Sequence, residues 1–230
     1  MRKYKIFIAC DSANTQNVKK VLKSARTSKL EIIPKFGLQF FYSKNGRKFL
    51  EKFKKPFFLD LKISDVPNTA VSALDSLKDL KKLRYITVHA SGGLEMLKAF
   101  TKKAKKINKN IKVLGVTILT SLNNKSVKEI GYKSEVEKLV LKQANIIKKS
   151  GAAGCVCSAH EAKILRKKYK NLFIVTPGIR MPGDKSNDQK RITTPVKAFN
   201  NKVSAIVMGR SLTSSNVSKN IKKLIYHLNQ

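Results

Sequence analysis

Asp60, Lys62 and Asp65 lie in the stretch FFLDLKISDVPN, residues 57–68, which begins as apolar as a buried strand and then turns charged. A lone ion is costly to bury, but alternating carboxylate and ammonium groups offset one another. At ~4 Å and an effective dielectric of ~20, one such contact carries roughly 4 kcal/mol of gross Coulomb attraction. The carboxylates would keep the lysine protonated and hold it in place. That arrangement suits a decarboxylation: an aspartate repels the substrate carboxylate, and the ammonium stabilises and then protonates the carbanion left behind. A structural ion-pair network has the same spacing, so the triplet alone leaves both readings open.

Other apolar runs also end in polar groups. Asp11 follows YKIFIAC, Lys35 stands just before Phe36-Gly37, His89 closes RYITVH, and a fifth run carries Thr117 near its end and leads into Thr120 and Ser121. One such residue is more often a cap or a satisfied rim group, and His89 alone reads first as a hydrogen-bonded structural histidine. Five consecutive runs ending this way point to one functional rim. Two further segments carry glycine–arginine pairs: TPGIRMPGDKSNDQKRI, residues 176–192, and MGRSL, residues 208–212. Arg180 and Arg210 offer planar, permanently charged donors for phosphate, Gly178 and Gly209 allow close backbone approach, and Gln189 can bridge a base edge and a phosphate oxygen. Solvated arginines on glycine-rich turns are the competing reading.

These residues need elements to position them. Eight β-rich runs recur, at 4–10, 31–36, 57–62, 84–90, 112–119, 153–158, 172–177 and 203–209. Their lengths and their β-branched and aromatic content favour strands. Lysine-rich segments of helical period separate most of them. Val18, Val21, Leu22 and Ala25 form one stripe; Val136, Leu139, Val140, Ala144 and Ile147 form another, with Gly151 at a C-cap position; Val217, Ile221, Leu224, Ile225 and Leu228 form the last. Strand–helix alternation repeated eight times predicts an α/β fold, the (β/α)8 TIM barrel, with residues 1–230 as a single domain. An open doubly wound sheet is the alternative, weakened by the absence of a Gly-x-Gly-x-x-Gly turn in ACDSANTQN. In a barrel, Leu59, Leu61 and Ile63 face the helices while Asp60 and Lys62 face inward at the carboxyl end of strand 3, the rim where barrel active sites form. Asp65 falls in the loop beyond, near a helix with Pro67 in its first turn.

Composition bounds the function less sharply. The net charge of +35 would suit nucleic acid or an anionic membrane. Yet 41 lysines stand against 8 arginines, spread along the whole chain and mostly in predicted helices, which reads as a solvated surface. Only seven aspartates occur, and Asp11, Asp60, Asp65 and Asp188 are among those that lie in the segments singled out above. No signal peptide or membrane span is expected. The three cysteines form no disulfide framework or zinc motif; Cys155 and Cys157 are expected on opposite faces of a strand, and a reducing cytoplasm is the expected setting.

The chain resembles orotidine 5′-monophosphate decarboxylases of the shorter bacterial type. The resemblance runs from Asp11 to Arg210 and rests on DLKISD followed by ValProAsnThr, on PGIR followed by DQKR, and on GRSL. Related sugar-phosphate enzymes share the first motif; its combination with PGIR and DQKR is more specific. The resemblance implies a cytoplasmic homodimeric lyase of pyrimidine biosynthesis that uses no metal or organic cofactor. Asp60, Lys62 and Asp65 would form the charged array, with Asp65 and Thr69 reaching the neighbouring subunit's site. Lys62 would protonate C6. Asp11 and Lys35 would hold the ribose hydroxyls, Thr120 the pyrimidine, and Arg180, Gln189 and Arg210, beside Gly209, the phosphate. Ser211 replaces a common proline, and Cys10 a common leucine. The alternatives are a magnesium-dependent barrel acting on a keto-sugar phosphate, and a basic, non-catalytic nucleic-acid binder.

Overall fold

The computed structural model describes residues 3–184 and 191–230. Eight parallel strands close into a barrel in chain order: β1 (Lys5–Ala9), β2 (Glu31–Gly37), β3 (Phe57–Ile63), β4 (Leu83–His89), β5 (Lys112–Val116), β6 (Gly154–Val156), β7 (Phe173–Thr176) and β8 (Ala205–Met208). Closure is made by β8 pairing with β1, Ile6 opposite Ile206, which excludes the open-sheet alternative. Helices follow the strands, so the architecture is the predicted (β/α)8 barrel.

Alternation along each strand separates two apolar layers. Phe7, Ile33, Phe58, Tyr85, Leu114, Val175 and Ala205 fill the barrel interior. Residues of opposite parity, such as Ile6, Ile8, Leu59 and Ile86, pack outward with the helices. The predicted helical stripes supply the other half of that outer layer. Val136, Leu139, Val140, Ala144 and Ile147 are all buried on the helix Val136–Lys149, and Gly151 just beyond it has φ +74°. Gly115 on β5 is needed here, because a Cβ at that position would lie 2.3 Å from Ile147.

Two irregularities shape the rim. Pro34 sits inside β2 although proline usually marks a sheet edge. Lys35 turns its carbonyl to β1, accepting from Cys10 N at 2.8 Å, and pairing with β3 begins only at Lys35. The N–H that Pro34 lacks therefore leaves no ladder partner empty. In β3 the register with β4 slips between Leu59 and Ile63, which pair with Ile86 and Val88, so β3 carries two extra residues at its carboxyl end. Lys62 lies in that bulge with φ +51°.

Cys155 and Cys157 do not lie on opposite faces. Both are buried free thiols of the outer layer, since residues two apart on a strand share a face. Contact with Cys155, followed by burial, pushes the Cys157 thiol well up.

Candidate active site

Interior parity continues upward from the apolar floor into polar residues. Above Phe7 come Ala9 and Asp11; above Ile33, Lys35 and Gly37; above Phe58, Asp60 and Lys62; above Tyr85, Thr87 and His89. The floor is aromatic: Phe7 meets the rings of Phe58 and Tyr85 edge-on, each at 4.9 Å between centroids. Charges above such a floor are poorly hydrated from below and must satisfy one another.

They do so in a chain of alternating sign. Lys35 Nζ lies 3.0 Å from Asp11 Oδ2 and 3.3 Å from Asp60 Oδ2, and Lys62 Nζ lies 2.9 Å from the same Asp60 oxygen. The other Asp60 oxygen accepts from the Thr87 hydroxyl at 2.9 Å, and Thr87 Oγ1 accepts from Lys62 N at 2.9 Å. Thr87 thus fixes both the carboxylate and the strained backbone of the lysine beside it. A non-glycine residue at positive φ costs on the order of 1–3 kcal/mol and persists where its surroundings impose it. Asp11 is held by Gly37 N, 2.6 Å from Oδ1. Position 37 must be glycine for this contact, because a Cβ there would come within 2.5 Å of that oxygen.

The electrostatics follow from burial opposed by neighbours. Burial alone would raise the Asp60 carboxyl, but Lys35, Lys62 and the Thr87 hydrogen bond hold it below the ordinary carboxylate value. Burial alone would depress the Lys35 ammonium, but Asp60 and Asp11 hold it above the ordinary lysine value. His89 is half-buried; burial and then the Lys62 charge lower its pKa against a weaker opposing effect of Asp60, which favours neutral imidazole.

One cavity of about 1270 Å³ joins the array to the last two strands. Its walls include Asp11, Lys35, Asp60 and Lys62 on one side, and Gly178, Arg180, Gly209 and Arg210 on the other, with Thr120 and Ser121 between. Arg180 is buried, and its Nη1 donates to Ile179 O at 3.0 Å. Gly178 takes φ +75°, which lets the loop turn back at the foot of that arginine. Arg210 opens the short helix Arg210–Thr213 after Gly209. Thr117, by contrast, donates to Val156 O at 2.8 Å and braces the wall.

Asp65 and Thr69 stand apart. Residues 64–69 are all exposed, and neither Asp65 nor Thr69 lines the cavity. Asp65 Oδ1 accepts from Val66 N at 2.7 Å, and among the described residues Asp65 makes no ion pair. Within one chain the array therefore runs Asp11–Lys35–Asp60–Lys62, with Lys62 held by a carboxylate on one side. Gln189 lies outside the described residues. Among the described residues no cluster of three or more His, Cys, Asp or Glu side chains is placed to hold a metal ion, and no helix is long and apolar enough to cross a membrane.

The sequence reading missed Thr87, Gly37 and Arg191. Thr87 had a signal, since it lies two residues before His89 on the same strand face. Gly37 had none beyond following Lys35. Arg191 is marked in the sequence only as the end of DQKR.

The family model described as "Orotidine 5'-phosphate decarboxylase / HUMPS family" matches residues 4–223. The orotidine 5′-phosphate decarboxylase of Wolbachia sp. subsp. Brugia malayi is 37% identical over 216 residues, covering 92% of this chain and 94% of the relative. That of Staphylococcus epidermidis strain RP62A is 40% identical over 186 residues, covering 79% and 80%. The crystal structure of orotidine 5′-phosphate decarboxylase from Lactobacillus acidophilus superposes with a TM-score of 0.82 at 30% identity, covering both chains completely.

Proposed function

Since the chain belongs to the orotidine 5′-phosphate decarboxylase / HUMPS family, we propose that it converts orotidine 5′-monophosphate to uridine 5′-monophosphate and CO2, as a lyase of pyrimidine biosynthesis. The observation that carries this reading is the shared cavity, with an Asp60–Lys62 pair at one end and Arg180 and Arg210 at the other. The relatives at 37% and 40% identity are orotidine 5′-phosphate decarboxylases, which favours this substrate over the keto-sugar phosphates.

In this reading Arg180 and Arg210 bind the phosphate, with the Gly209 backbone close by and Gln189 as a further contact from outside the described residues. Asp11 and Lys35 hold the ribose hydroxyls, and Thr120 meets the pyrimidine. Anchoring at the phosphate brings the C6 carboxylate toward Asp60, whose low pKa keeps it ionised and repulsive. The bond from C6 to the carboxylate breaks heterolytically. CO2 leaves, and the electron pair stays on C6 beside the Lys62 ammonium. Lys62 transfers a proton to C6, and solvent returns one to the amine. Lys62 needs no reorganisation at that moment, because Asp60 and the Thr87-bound backbone already orient it.

The exposed run 64–69 fits a homodimer in which Asp65 and Thr69 enter the neighbouring site, placing a second carboxylate beside Lys62. The net charge of +35 would draw the anionic nucleotide over distance, an effect that salt weakens.

Loss of orotate absorbance, followed with a chelator present, tests the reading. Steady turnover is expected. Folded protein inert toward orotidine 5′-monophosphate rejects it, and chelator-sensitive turnover of a keto-sugar phosphate would install the sugar-phosphate alternative.

A further inference from the structure

The segment after β7 leaves the barrel at Thr176 and rejoins it at the helix Pro195–Asn200. Its base is zipped by Arg180 N donating to Thr193 O at 3.0 Å and Thr193 N donating to Gly178 O at 3.2 Å. Just inside that base, Arg191 turns its guanidinium inward, leaving its side chain only 13% exposed. Nη1 pairs with Glu161 Oε1 and reaches Ser158 Oγ at 3.4 Å. Nη2 donates to two backbone carbonyls, Ile118 O and Leu119 O, each at 3.3 Å.

Glu161 is itself fixed. It belongs to a capping box on the helix Ala159–Lys168, where its Oε2 accepts from Ser158 N at 3.1 Å and from the Ser158 hydroxyl. One guanidinium therefore ties three rim segments: the loop after β5, the helix start after β6 and the loop after β7. Two of these carry cavity walls, since Ile118, Leu119, Thr120 and Ser121 line one side and Gly178 and Arg180 another. Neither Arg191 nor Glu161 lines the cavity. A buried ion pair adds little stability against an apolar substitute of the same volume. A rigid planar fork that spans a carboxylate and two carbonyls supplies geometry instead, which a lysine cannot reproduce.

We propose that Arg191, anchored by Glu161, is a positioning residue that sets the strand-5 loop, and through it Thr120, against the phosphate-gripping loop after β7. The proposal rests on the decarboxylase reading above. Arg191 touches no substrate; it acts through the carbonyls that immediately precede Thr120.

A double-mutant cycle on kcat/KM for orotidine 5′-monophosphate tests it, using Arg191→Met, Thr120→Ala and the combination. Arg191→Met should lower kcat/KM by roughly 10- to 100-fold, the scale of a misplacement near 1 Å. The double variant should then be no worse than the stronger single one, because both changes remove the same contact to the base. Losses that multiply overturn the proposal. Arg191→Lys keeps the charge and should restore the melting temperature without restoring kcat/KM; full kinetic recovery with lysine overturns the need for the fork. If Arg191→Met does not fold, Arg191→Lys takes its place in the cycle. A wild-type chain inert toward the nucleotide rejects the functional reading and this role with it, whereas an active wild type with multiplying losses rejects this role alone.

Discussion

Replacing Lys35 by methionine should lower stability and move the acid limb of the stability curve to higher pH. Lys35 is buried, and its ammonium lies 3.0 Å from Asp11 Oδ2 and 3.3 Å from Asp60 Oδ2. At an effective dielectric of ~20 each contact carries about 5 kcal/mol of gross Coulomb attraction, most of it offset by the desolvation of the ions. Removing one partner of a buried pair costs roughly 3–5 kcal/mol. The low end, ~3 kcal/mol, applies here because Asp60 keeps Lys62 and Asp11 is partly solvated. For a chain of this size that is a fall in Tm of roughly 6–12 °C. The pH dependence has a definite sign. Asp60 is depressed in the fold, so its contribution is present above the unfolded carboxylate pKa and is lost as pH falls through the folded one. Without Lys35 the folded value rises toward the unfolded one, so the contribution is smaller and its loss is complete at a higher pH. The Lys35 contribution is full below the unfolded lysine pKa and is lost as pH rises through its raised folded value, so the two proteins should converge at strongly alkaline pH. Thermal melts of both proteins from acid to alkaline pH measure this. A variant with the wild-type Tm and an unmoved acid limb would refute the shared-carboxylate account of the array.

Further outcomes are expected. Gly37→Ala puts a Cβ within 2.5 Å of Asp11 Oδ1, so it should displace the carboxylate and raise KM about tenfold with a smaller change in kcat, read from steady-state kinetics. Arg210→Ala removes charged contacts worth roughly 1.5–3 kcal/mol each, and calorimetry with uridine 5′-monophosphate should show affinity reduced roughly 10- to 150-fold. Mixing inactive Asp65→Ala with inactive Lys62→Ala subunits should restore part of the activity; none recovered after subunit exchange counts against an Asp65 contributed in trans.

The barrel was legible because eight short runs are strongly β-branched and because helical stripes such as Val136 to Ile147 leave little ambiguity of period. The inward direction of Asp60 and Lys62 followed from alternation with Leu59 and Leu61. The partners of Asp60 did not. Lys35 reaches it through the β2–β3 register, in which Gly37 stands opposite Asp60, and register between separate strands is not written in local spacing. The positive φ of Lys62 comes from a bulge against β4 that no residue in DLKIS announces. Thr87 was hidden among β-branched neighbours, where threonine reads as ordinary strand. The Arg191–Glu161 pair spans 30 residues; its only local trace is the Ser158-x-x-Glu161 spacing of a capping box.

The central claim is that the Lys62 ammonium, oriented by Asp60, meets the carbanion at C6. Lys62→Ala, assayed for turnover of orotidine 5′-monophosphate and in parallel for uridine 5′-monophosphate binding, tests it most directly. The account predicts turnover reduced by about 10,000-fold or more, from loss of both the general acid and the electrostatic stabilisation, with nucleotide affinity kept within about tenfold. A Lys62→Ala protein that turns over at close to the wild-type rate would contradict it.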